Sequence, residues 1–186
     1  MQAAELLRTE HRAIELMLDI LEGIASRLES GQEVEPDHLR RIADFIQTFA
    51  DRCHHGKEEG LLFPAMEEAG VPRDGGPIGV MLVEHEMGRG YVRRMVEGIG
   101  RYADSDGQAR SQISESARAY VALLRQHIDK EDNILYPIAE MHLTPEVEQR
   151  LPEGFDRIER EQIGENKHEE YHELLHELRK AYLGQS

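Results

Sequence analysis

One segment of this chain occurs twice. The run His54-His55-Gly56-Lys57-Glu58-Glu59-Gly60-Leu61-Leu62-Phe63-Pro64 aligns without gaps to His127-Ile128-Asp129-Lys130-Glu131-Asp132-Asn133-Ile134-Leu135-Tyr136-Pro137, 73 residues later. Glu10-His11 and Glu84-His85 recur 74 residues apart, so each lone His precedes its His-x-x-x-Glu by 43 or 42 residues. Each copy is long enough for one helical hairpin, and two hairpins packed together make an up-down four-helix bundle. The expected fold class is therefore all-α: a duplicated helical hairpin forming a four-helix bundle, with an additional C-terminal helix.

Apolar residues spaced three and four apart, and the breakers between them, predict five helical segments. The first spans about 3–28 and ends before Ser30-Gly31. The second starts at Pro36-Asp37 and runs to about 68, closed by Gly70-Val71-Pro72. The third covers about 78–102 and the fourth about 109–141. A looser stretch containing Pro152-Glu153-Gly154 precedes the fifth, at about 160–182. The repeat accounts for residues 1–142 as one domain, and residues 143–186 read as an extension that packs on it.

On a helix, residues four apart share a face and sit about 6 Å apart along the axis. His54 with Glu58, and His127 with Glu131, therefore point together. His11 and His85 supply a second imidazole from the other helix of each hairpin. Four His and two Glu then converge from four helices. A lone His-x-x-x-Glu is a common surface pair, but six such residues in register across two copies point to metal. Imidazole and carboxylate without thiolate suit Fe, Mn or Zn, and carboxylates can bridge two metals in a bundle core. Glu10, Glu59 and Glu84 are candidate acceptors for the outer N–H of the ligand imidazoles.

The same residues resemble the hemerythrin-like HHE cation-binding family. The resemblance rests on His11, on His54-x-x-x-Glu58 followed by Glu59 and Leu62-Phe63-Pro64, on His85, and on His127-x-x-x-Glu131 ending in Leu135-Tyr136-Pro137. It covers about residues 4–140. It implies a left-handed four-helix bundle holding two non-haem iron ions, with His11, His54, Glu58, His85, His127 and Glu131 as ligands. An oxo or hydroxo bridge between the irons would leave a position for O2, peroxide, nitric oxide or water. The oxygen-carrying members have a further His one turn after the third-helix ligand, and here that position is Arg89.

The tail offers a substitute. His168, His172 and His176 recur every four residues, and Glu161 or His168 is the candidate to enter the site. Leu174, Leu175, Leu178 and Tyr182 would dock the helix. The alternative for the same segment is a solvated, Glu-rich face. His55, one residue from His54 and so turned about 100° from it, is placed at a boundary or exposed. Tyr120 is a core aromatic that could reach the centre with its hydroxyl, His38 and His142 are solvated, and Cys53 is core filler.

Charge narrows the partners. Lys and Arg number 22 against 37 Asp and Glu, a net charge of −15, which repels phosphate backbones and argues against nucleic acid. No apolar run is long enough to span a membrane. Glu5 and Glu10 stand where a signal peptide would need a basic start, and a single cysteine fits a reducing, cytoplasmic setting. The expected partner is a small diatomic or peroxide ligand. Three functions follow: binding or sensing O2 or nitric oxide, reductive consumption of peroxide or nitric oxide, and iron handling, including iron–sulfur repair. The repair class often carries an N-terminal cysteine segment, and here helix one begins at once.

Overall fold

The computed structural model describes residues 1–102, 107–164 and 167–184, apart from the side chain of His168. All regular structure among them is helical. Helix α1 is Gln2–Glu29, α2 is 36–68, α3 is Pro77–Tyr102, α4 is 109–142, α5 is Pro145–Gln162 and α6 is Lys167–Tyr182. The first four match the sequence-based segments to within one or two residues.

The tail departs from expectation. The stretch read as loose is helix α5, with Thr144 in extended geometry before it and Pro145 in its first turn. Pro152 lies inside this helix, where a proline removes one backbone hydrogen bond. Burial of Leu151 and Phe155 on either side of it compensates. The break between the tail helices falls instead at Gly164, whose φ of +82° suits a residue without Cβ.

Helix α2 is not uniformly α-helical. Residues Ile46–His55 and Glu58–Leu62 form wide π turns, and Glu131–Leu135 does the same in α4. The two five-residue π stretches occupy equivalent positions of the repeat, directly after each His-x-x-x. The ten-residue stretch lies in α2. Wide turns change which residues share a face, and they occur disproportionately at functional sites.

Helix α4 packs along α1 and α3, and α2 packs along α3 and α1. Helices α5 and α6 both lie against α1 and α2. Leu174, Leu175 and Leu178 of α6 join the main apolar core, and Tyr171 meets Phe45 edge-on at 5.2 Å. The interior holds two apolar clusters. One runs from Ile14 through Ile42, Met95 and Ala117. The other gathers Leu7, Phe63, Met81 and Leu135. His11 falls between Leu7 and Ile14, and His85 falls between Met81 and Val92. The candidate site is thus a polar layer dividing the apolar core.

Candidate metal centre

His11, His54, Glu58, His85, His127 and Glu131 are all at most 1% exposed. Fully burying two carboxylates with four imidazoles is costly unless every charge is matched, so their hydrogen bonds decide what the layer is for.

Each of the four rings is held from behind. His11 Nδ1–H donates to Asp132 at 2.8 Å and His54 Nδ1–H to Glu10 at 2.8 Å. His85 Nδ1–H donates to Glu59 at 2.6 Å and His127 Nδ1–H to Glu84 at 2.9 Å. The pattern obeys the repeat: Glu10 pairs as Glu84 does, and Asp132 pairs as its counterpart Glu59 does. Three of these partners were expected. Asp132 was not, although the alignment of Glu58-Glu59 with Glu131-Asp132 carried the signal.

A proton on Nδ1 leaves Nε2 of a neutral ring as a lone pair. All four Nε2 atoms turn inward. Those of His11 and His54 are 3.0 Å apart, and so are those of His85 and His127. Glu131 spans the two pairs, with one oxygen 3.0 Å from His127 Nε2 and the other 3.2 Å from His11 Nε2. Glu58 Oε2 stands 3.5 Å from His85 Nε2 and 3.9 Å from His54 Nε2. Neither Glu131 oxygen accepts a hydrogen bond, nor does Glu58 Oε2. The other Glu58 oxygen accepts one from the Tyr136 hydroxyl at 2.8 Å.

Facing lone pairs and orphaned carboxylate oxygens create a demand for positive charge at the centre of the layer. Without metal, protons meet it. Burial alone would lower the imidazole pKa values, but Asp132 and Glu131 outweigh burial at His11 and push it up to about 10. At His85 the carboxylates of Glu131, Glu58 and Glu59 overcome burial and raise it to about 11. At His127 the balance between burial and Glu131 ends at about 9. Protons still leave three carboxylate oxygens without a donor, so the residues present fit metal cations better. Two sets of ligand atoms lie within 4.8 Å of one another: His11, His54 and Glu131, and His55, Glu58, His85 and His127.

The residues behind the ligands are paired in turn. Arg89 donates to Asp51 and to Glu59, each at 2.8 Å. Lys130 pairs with Glu84, and Lys57 pairs with Glu10 at the equivalent place. Lys57 is buried and takes a second carboxylate, Glu159 of α5, at 3.0 Å. Glu159 is therefore the residue by which the extension reaches the surroundings of the site. Glu161 is exposed at the end of α5, and the His168 side chain lies outside the described residues. His176 is exposed as well.

Other expectations change. His55 is buried rather than at a boundary, because the wide turn of α2 brings it inward beside His54. Tyr120 is buried and lines a cavity with His55 and Arg89. The tyrosine that reaches the centre is Tyr136. His38 is half-buried, with its Nδ1 2.8 Å from the Tyr182 hydroxyl, and His142 is exposed. Cys53 is buried, and burial pushes its thiol up to about 12.

The hemerythrin HHE cation binding domain family matches residues 2–139. The chain belongs to this family. Its match covers the four helices of the polar layer and stops short of α5 and α6. Hemerythrin-like domains bind metal cations, and the buried His and Glu cluster is suited to one. Uncharacterized proteins of Mycobacterium tuberculosis and Mycobacterium bovis are 26% identical over 163 residues, which is 88% of this chain and 63% of theirs. The chain thus spans less than two thirds of the length of these curated relatives. No solved structure matches it. No helix among the described residues is long and apolar enough to cross a membrane.

Proposed function

We propose that this hemerythrin-like chain holds two iron ions and uses them to bind or reduce a small oxidant such as O2, peroxide or nitric oxide. The carrying observation is the pair of facing imidazole couples, His11 with His54 and His85 with His127, with orphaned carboxylate oxygens of Glu58 and Glu131 between them. His11, His54, Glu58, His85, His127 and Glu131 are the ligands. Helices α1 to α4 form the up-down four-helix bundle, residues 1–142, and residues 143–186 are the extension that covers α1 and α2.

Bound iron would supply one-electron steps and a Lewis-acid position for a small ligand. The chain's own residues set the conditions. Asp132, Glu10, Glu59 and Glu84 fix the four rings in one tautomer and raise their basicity. Tyr136 orients Glu58. The apolar clusters on both sides keep bulk water from the layer, which strengthens every charge interaction within it.

Complete burial of the six ligands favours a retained cofactor over iron held for transfer, since release would require opening the helices. A cavity of about 150 Å3 lined by Asp51, His55, Arg89 and Tyr120 is sized for a small molecule rather than a metabolite. Protein expressed in iron-replete medium is expected to carry about two irons per chain and to show ferric charge-transfer bands; absence of iron would sink the proposal. Stopped-flow mixing of reduced protein with O2, peroxide and nitric oxide then separates reversible binding from turnover.

A further inference from the structure

We infer that His55 is a fifth imidazole ligand, on the metal held by His85 and His127. This rests on the metal-holding function proposed above and adds to it a residue outside the repeated six.

The geometry comes from α2. In an α-helix consecutive residues diverge by about 100°, so His54 and His55 could not both face the interior. Residues Ile46–His55 are π-helical instead, and both rings turn inward. The His55 ring stacks on His85, with centroids 3.8 Å apart and planes 15° apart. It meets His127 edge-on at 5.9 Å. A ring nitrogen of His55 lies within 4.8 Å of ligand atoms of Glu58, His85 and His127.

His55 is also oriented as the four other rings are. Its Nδ1–H donates to Asp51 at 3.3 Å, which leaves Nε2 as the ligand nitrogen. Asp51 is itself gripped by Arg89 at 2.8 Å, and Arg89 also grips Glu59, the partner of His85. One guanidinium thus positions the acceptors of both stacked rings.

Two departures from the repeat make the same point. His55 corresponds to Ile128, and Phe63 corresponds to Tyr136. The Phe63 ring stacks near His85 at 6.0 Å, whereas the Tyr136 ring stacks near His11 at 5.6 Å. The half of the site with His85 therefore gains an imidazole and an apolar ring, and the half with His11 gains a phenol. The two metals become inequivalent through residues that the duplication did not preserve. His55 also lines the cavity beside Arg89 and Tyr120, so its coordination would close that side and leave the small ligand to the metal of His11 and His54.

The test uses the whole chain, labelled with nitrogen-15 and loaded with cadmium-113, with imidazole resonances assigned from the backbone of the wild type. One-bond coupling to cadmium is expected at five histidines: His11, His54, His55, His85 and His127. Coupling at four, with His55 uncoupled, overturns the inference and leaves the metal centre standing. Coupling at none overturns the metal centre itself. As a second measurement, the iron-loaded His55→Gln protein should keep its metal content while one of two Mössbauer doublets moves. An unmoved spectrum at full metal content also overturns the inference.

Discussion

Tyr136 donates its hydroxyl to Glu58 at 2.8 Å, across from the opposite copy of the repeat. This is the one hydrogen bond received by either of the two central carboxylates, and its counterpart in the other copy, Phe63, has no hydroxyl to give. Tyr136→Phe should cost about 1–2 kcal/mol of stability, the range for a buried bond to a charged acceptor. It should also shift the charge-transfer bands of the iron-loaded protein. Chemical denaturation and an absorption spectrum check both; unchanged values would mean that Glu58 is oriented without Tyr136.

Metal removal should destabilise the chain. The facing ring nitrogens and the donorless oxygens of Glu58 and Glu131 lie in a dry layer, so an ion that binds only the folded state stabilises it by linkage. At free metal one hundred times the dissociation constant, that is about 2.7 kcal/mol per ion. Thermal unfolding after chelation, and again after reloading, should show the melting temperature fall and recover.

Protons and metal compete for the same nitrogens. In the metal-free chain, stabilisation by protonated His127, His11 and His85 is complete below their ordinary pKa of about 6.5. It is lost as the pH rises through about 9, 10 and 11. Stability of the metal-free protein should therefore decline on the alkaline side, whereas metal affinity should rise with pH. Calorimetry of metal uptake at neutral pH in buffers of different ionisation enthalpy should report net proton release.

Glu159 and Glu161 separate two roles for the extension. Glu159 is bonded to buried Lys57, which supports Glu10 and through it His54. Because Glu159 is about one third exposed, Glu159→Gln should cost only about 1 kcal/mol. It should also weaken metal binding severalfold at the His54 side. Glu161→Gln, at an exposed position, should change neither. Equal effects of the two substitutions would remove Lys57 as the link.

Much of this arrangement was legible because the chain states it twice. His11, His54, His85 and His127 could be placed on inward faces from spacing alone, and the aligned copies assign Glu10 and Glu84 one role. Asp132 was legible by the same alignment and went unread because it differs from Glu59 by one methylene. His55 was not legible by α-helical arithmetic: wide turns arise from how the helix accommodates its neighbours, and no local residue pattern announces them. Helix α5 was missed because Pro152 and Gly154 read as breakers, while the burial of Leu151 and Phe155 that overrides them depends on helices far away in sequence. Which residue of the tail reaches inward was likewise decided by the docking of α5, which no spacing rule contains.

Cys53 adds a last consequence. It is the chain's only cysteine and is the immediate neighbour of His54, so a centre that handles oxidants has sulfur within one residue of it. Attack on sulfur proceeds through the thiolate, and a buried thiol pushed up to about 12 holds almost none at neutral pH. The protein can cycle through oxidising conditions without sulfenic acid forming beside its own cofactor. Its working lifetime should be set by how long it keeps its metal, with sulfur chemistry contributing no ageing.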